Sequence, residues 1–116
     1  MTTPKPGTPV RGSRTGRPIM AALDLLGRRW ALRVLWELRD GPLGFRALQA
    51  ACDSMSSSVL RDRLGELAEA GLIGRDGDRY ALTPLGADLG RAMRPLAQWA
   101  RRWEAQLATD AVPCAP

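Results

Sequence analysis

A mainly α-helical domain with one small β-hairpin is the fold class this chain predicts, and three observations predict it. From Met55 to Ile73 the sequence reads as one capped helix that stops at Gly71 and runs into an apolar strand start. Asp76-Gly77-Asp78 then sits between two short runs of strand formers, Leu72–Arg75 and Arg79–Leu82, as a tight turn would. Ahead of both, three short apolar stripes with helical spacing are separated by turn signals. Helices followed by a two-stranded hairpin, with two of the helices joined by a tight turn, define a winged helix-turn-helix.

Each element can be justified in order. Residues 1–18 hold four prolines, three glycines and four threonines with almost nothing apolar, and are expected to be a disordered basic tail. Ile19, Leu23 and Leu26 mark a first helix ending at Gly27. Trp30, Val34, Leu35 and Leu38 mark a second, closed by Asp40-Gly41-Pro42. Phe45, Leu48, Ala51 and Cys52 mark a third, and residues 53–55 a tight turn. Ser56 is placed to cap the fourth helix, its hydroxyl accepting from a free N–H of the first turn. Thr83-Pro84 opens the last helix, with threonine as cap and proline at the first helical position. That helix carries Leu85, Leu89, Met93, Leu96, Trp99, Trp103 and Leu107, and Pro95 within it should kink or split it. The domain therefore spans residues 19–108, and residues 109–116 are expected to be a flexible end.

Charge and composition narrow the function. The chain has 116 residues, suiting one domain, and a net charge of +5. Lys5, Arg11, Arg14 and Arg17 in the tail, with no acid beside them, supply +4 of that +5, so the body is nearly neutral. A basic surface on the body must come from arrangement. A basic tail favours a polyanion. With no histidine, no phosphate-binding glycine loop and no paired acids in an apolar setting, nothing suggests acid–base, nucleophilic or metal chemistry, so no enzyme and no cofactor are expected. Two distant cysteines, Cys52 and Cys114, do not suggest a disulfide framework. Without an apolar leader or a span-length apolar run, the chain is expected to be cytoplasmic, with no membrane partner.

On the fourth helix, Leu60, Leu64, Leu67 and Gly71 share one face, while Ser58, Arg61, Asp62 and Gly65 share the opposite one. A helix of this kind can enter a DNA major groove: its apolar side stays in the protein and its N-terminal half reaches base edges and phosphates. Arg61 is the residue expected at a base edge, because a guanidinium can bond bidentately to guanine. Arg63, on the helix flank, is expected at a phosphate, as are Ser56, Ser57 and Ser58 at the helix start. Arg75 and Arg79 flank the wing turn and are expected at a minor groove or backbone, with Arg46 a further basic group on this side.

The motifs also resemble those of the HxlR-type family of bacterial winged-helix transcriptional regulators. Leu26-Gly-Arg-Arg-Trp-Ala-Leu-Arg-Val-Leu35 is similar to the family's opening Gly-Gly-Lys-Trp helix, and Gly41-Pro-Leu-Gly-Phe-Arg-Ala-Leu48 to its Gly-Pro-x-Arg-Phe-x-x-Leu segment. Met55–Leu67 is similar to its recognition helix, Glu69–Ile73 to the exit from that helix, Tyr80–Gly86 to the strand-to-helix corner, and Leu96–Trp99 to its last helix. The chain departs from the family at Gly44 and Gly65, where arginine is usual, and in a wing several residues shorter. These departures remove positive charge from the expected DNA face. Some family members sense oxidants through a cysteine ahead of the first core helix, and this chain has none there. Cys52 lies on an apolar stripe and reads as core.

The resemblance implies a dimeric DNA-binding regulator, most simply a repressor on a pseudo-palindromic operator. The terminal helices would pair across a two-fold axis through Leu23, Leu26, Leu96, Trp99, Trp103 and Leu107. A sharper expectation is that Trp30, Trp99 and Trp103 line a pocket for a small aromatic effector at that dimer interface, although core and dimer packing explain the same residues. The alternative of a different class is a winged-helix protein-interaction module without specific DNA readout.

Overall fold

The structure is a computed structural model that describes residues 3–111. Its elements run α1 (Pro18–Leu26), α2 (Ala31–Glu37), β1 (Leu43–Gly44), α3 (Phe45–Ala51), α4 (Ser57–Glu69), β2 (Ile73–Asp76), β3 (Arg79–Leu82), α5 (Pro84–Ala92) and α6 (Arg94–Ala111). The fold is a winged helix-turn-helix, as the periodicities require.

The helix limits follow from local chemistry. Thr83 caps α5, its Oγ1 accepting from the Gly86 N–H at 3.0 Å, with Pro84 in the first turn. α4 ends in a two-bond closure: the Leu72 N–H donates to the Leu67 carbonyl and the Gly71 N–H to that of Ala68. Gly71 has φ +84°, the left-handed conformation that this closure requires and that a Cβ would penalise. In the turn between α3 and α4, Asp53 and Ser54 both adopt positive φ, which residues with short polar side chains tolerate better than others.

The core gathers Val34, Leu35 and Leu38 of the α2 segment, Leu48 and Cys52 of the α3 segment, Leu60, Leu64 and Leu67 of α4, and Leu72 and Ile73 beyond it. Every leucine of the α4 stripe is inside, so α4 is seated by its own chain. β2 and β3 form the expected hairpin, with Arg75 opposite Tyr80 and Asp76 opposite Arg79. The sheet has a third strand that the periodicity does not show. β1 pairs antiparallel with β3, Leu43 opposite Tyr80 and Gly44 opposite Arg79, giving the order β1-β3-β2. The long C-terminal helix is split: α5 closes at Met93, and Pro95 falls in the first turn of α6, where its missing N–H costs nothing.

Three expectations are corrected. Residues 3–17 are not a disordered tail but an arm held against the body. Thr3 is buried and donates to Glu69 at 2.8 Å, the Gly7 N–H donates to the Gly16 carbonyl at 2.9 Å, and Val10 and Ser13 form a bridge. Composition hides this order because it rests on specific contacts, some within the arm and one to distant Glu69. The α6 helix does not fray at Thr109 but continues to Ala111, and residues 112–116 of the expected flexible end lie outside the described residues. Leu26, expected in an exposed interface, packs against the core instead. Trp30 adopts φ +74° in the turn ahead of α2 and packs against the core, whereas Trp99 and Trp103 stand exposed on α6. No helix among the described residues is long and apolar enough to cross a membrane.

Candidate nucleic-acid interface

The outward side of α4 carries Ser58, Arg61, Asp62 and Gly65, all exposed, directly opposite the buried leucines. A cleft of about 430 Å³ runs between this face and the hairpin, and Arg61, Gly65, Gly74 and Arg75 line it. Two aromatic rings fix its basic groups. The Arg61 guanidinium lies 5.2 Å from the centre of the Phe45 ring, and that of Arg75 lies 4.6 Å from the centre of the Tyr80 ring. A cation over an aromatic face is attracted to the ring quadrupole, and its planar edge stays free for a hydrogen-bond acceptor. Stacking thus orders both side chains without neutralising either one. Arg61 has no acid partner among the described residues.

Gly65 does not serve packing, for a Cβ there would meet nothing within 4 Å. Its effect is on the surface, which it keeps low in mid-helix. Gly44 is equally open and leaves β1 without a side chain at that position.

The remaining basic residues divide. Arg46 is exposed on α3. Arg79 is exposed beside the wing turn and is 3.8 Å from Asp76, a loose pair that a phosphate can displace. Arg63 behaves otherwise, and this is a correction. Its Nε donates to the Arg29 carbonyl at 2.8 Å, its guanidinium pairs with Glu66, and its side chain is largely covered. Arg28 pairs with the same Glu66. The clasp ties α4 to the α1–α2 connection, so Arg63 positions the helix and is a poor phosphate contact. Helical spacing places Arg63 on the flank, but only the tertiary structure shows what that flank meets. At the helix start, Ser56 Oγ accepts from the Val59 N–H at 3.4 Å and shares a hydrogen bond of 2.9 Å with Ser58 Oγ, while Ser57 is half-buried. Ser56 and Ser58 are both exposed at the helix start.

Phe45 and Tyr80 were not singled out as part of this surface by sequence reasoning. The signal for Tyr80 was available, because the second residue after an Asp-Gly turn faces a cross-strand partner ahead of that turn, here Arg75. Beyond the cleft, the Cys52 thiol and the Glu69 carboxylate are perturbed. Burial pushes the Cys52 thiol up from its ordinary value, with Arg33 acting in the opposite direction, so Cys52 is a core thiol. Glu69, the last residue of α4, is held below the usual carboxylate range by the Thr3 hydroxyl first and then by Lys5, 3.1 Å away.

Comparison with known proteins identifies the family and the fold. The sequence pattern of the HxlR-like helix-turn-helix family matches residues 25–108. The HTH-type transcriptional regulator YvaP of Bacillus subtilis is 32% identical over 89 residues, covering 71% of this chain and 82% of YvaP. Among solved structures, quinone-bound YodB from B. subtilis superposes with a TM-score of 0.69 at 29% identity, over 73% of this chain and 97% of YodB. An HxlR-family factor from Thermoplasma volcanium superposes with a TM-score of 0.66 at 27% identity, over 76% and 85% of the two chains.

Proposed function

The chain belongs to the HxlR-like helix-turn-helix family of DNA-binding transcriptional regulators, and we propose that it works in the cytoplasm as a homodimeric repressor on a pseudo-palindromic operator. The observation that carries this reading is the α4 face: Arg61 is ordered on Phe45, exposed, and opposite a fully buried leucine stripe. Arg61 reads a base edge in the major groove. Arg46, Arg75, Arg79 and the start of α4 hold the phosphates on either side.

Dimerisation is supported by α6, whose Leu96, Trp99, Trp103 and Leu107 all stand half-exposed, and by Leu23 on α1. Such an apolar stripe on a small domain marks an interaction surface. Pairing of these helices across a two-fold axis would set two α4 helices on successive major grooves, about 34 Å apart. A small aromatic effector is in keeping with the quinone bound to YodB.

The test is selection of bound duplexes from fragmented source DNA, followed by footprinting and a salt titration. Two half-sites about one helical turn apart are expected. If Arg46, Arg75 and Arg79 of each subunit neutralise one phosphate each, log affinity falls against log salt with a slope of roughly −5. A flat salt dependence, or no binding to any duplex, would favour the protein-interaction module instead.

A further inference from the structure

Trp36 takes no part in the DNA face, yet it is 44% exposed at the end of α2. Beside it lies a cavity of about 370 Å³, where α2, α5 and the first turn of α6 meet. Its wall combines three features. Trp36 supplies an aromatic face. Gly86 and Gly90 on α5 supply a stretch with little side chain. Arg39, Arg91 and Arg94 supply three cations, against one acid in the wall, Asp40.

These cations are unevenly engaged. The Arg39 guanidinium stacks on Trp36 at 4.1 Å and donates to the Trp36 carbonyl at 2.9 Å, which fixes it, while Asp40 is 3.7 Å away, too far for a hydrogen bond. Arg91 has a contact with Asp88 at 3.3 Å, exposed on both sides. Arg94 is exposed, with no acid partner among the described residues. An aromatic face with excess guanidinium charge around it suits a flat anion: the ring stacks, and the carboxylate takes paired N–H groups. The volume lies at the small end of the roughly 300–1,000 Å³ typical of ligand pockets, which limits the ligand to one or two rings.

We propose that this cavity is a binding site for a small planar aromatic carboxylate, packed against Trp36 with its stacked Arg39 and held by Arg94 with Arg91. The site adjoins the α5–α6 junction. Arg94 is the first residue of α6, the helix that carries Trp99 and Trp103, so occupancy bears on the angle at which α6 leaves the body. That regulatory consequence rests on the operator-binding reading above, whereas the binding site itself does not.

The test is calorimetric titration of the DNA-free full chain with naphthoate, with naphthamide as the neutral isostere and cyclohexanecarboxylate as the anion without a π face. Saturable naphthoate binding is expected, at least tenfold tighter than either control. Trp36→Leu and Arg94→Gln should each weaken it at least tenfold. Gly90→Leu should block it, and it is a mild substitution for the fold, because a Cβ at Gly90 would meet nothing within 4 Å. Should that variant lose its helical circular dichroism, the Trp36→Leu result decides. The inference is overturned if naphthoate does not saturate at millimolar concentration, if naphthamide binds equally well, or if binding survives both Trp36→Leu and a folded Gly90→Leu. Naphthoate binding without binding to any duplex would remove the regulator reading and leave the site. Duplex binding without naphthoate binding would do the reverse.

Discussion

The α4 and α6 helices have similar sequence patterns and opposite structural circumstances. Both carry large apolar residues at helical spacing with charged residues between them. On α4 the apolar stripe is Leu60, Leu64 and Leu67, and all three are buried by the same chain. On α6 the stripe is Leu96, Trp99, Trp103 and Leu107, and none is buried. Trp99 and Trp103 stack on each other with ring centres 5.4 Å apart, which covers part of each ring but gives neither a home in a core. Periodicity thus tells which side of a helix wants cover, not what provides it. For the helix proposed to read DNA, cover comes from the monomer, so its shape is set before any partner arrives. For the helix proposed to pair subunits, cover must come from outside.

The largest expected effect tests the seated helix. Leu60→Ala removes a side chain with no exposure from the centre of the core, and truncations of this kind cost about 2–5 kcal/mol. Leu107→Ala, on the exposed stripe, should cost far less in the monomer. Chemical denaturation at low protein concentration measures both. Equal losses would mean that α6 has a core of its own and that the contrast between the helices is false.

Next in size is the effect on association. Trp103→Ala should weaken the dimer by about 2 kcal/mol or more, as loss of a buried interface aromatic does. Sedimentation equilibrium reads this as a shift to monomer, and the circular dichroism of the diluted protein should not change. A melting temperature that does not depend on protein concentration in the wild type would argue against the paired helices.

Within the DNA face, Arg61 and Arg63 make an internal control two residues apart. Arg61→Ala should cost about 1–3 kcal/mol of operator affinity and relax preference at one base pair, with thermal stability nearly unchanged. Arg63→Ala should act through the fold, because it leaves Glu66 with Arg28 alone and breaks the bond to the Arg29 carbonyl. A stability loss with little base-specific effect is expected. If the two variants exchange these phenotypes, the assignment of base reader and helix positioner is reversed.

The sequence reading succeeds where a structure repeats and falters where it depends on distant neighbours. The α4 stripe, its serine cap, its glycine stop and the Asp-Gly hairpin are local patterns, and all are legible. The strand β1 has only Leu43 and Gly44, too short for any period, and exists because β3 offers it an edge. The exposure of Arg61 follows from its place opposite three leucines. The engagement of Arg63 does not, because it depends on the α1–α2 connection lying alongside α4. Trp30, Trp99 and Trp103 are alike as residues, and nothing local distinguishes the one that turns into the core from the two left outside.

The smallest expected effect concerns the N-terminal arm, which composition assigns to disorder and which Thr3 and Lys5 fasten to Glu69. The Glu69 carboxylate titrates below its ordinary value in the folded chain, first because of Thr3 and then because of Lys5. A lowered folded value means that the contribution is present above the unfolded carboxylate range, about pH 4.3, and is lost as the pH falls through the folded value. The group is exposed and salt screens it, so global stability should barely respond. The arm itself should. Glu69→Gln is expected to speed amide exchange at Val10 and Ser13, the bridged pair, while amides on α4 keep their protection. In the wild type the same acceleration should appear only as the pH falls below the ordinary carboxylate range, after correction for intrinsic exchange, and in the variant it should be absent because no carboxylate remains to titrate. Equal protection of Val10 and Ser13 in both proteins at every pH would show that the arm is held by the Val10–Ser13 bridge and the Asp24 contact to the Arg11 N–H, with Glu69 a bystander.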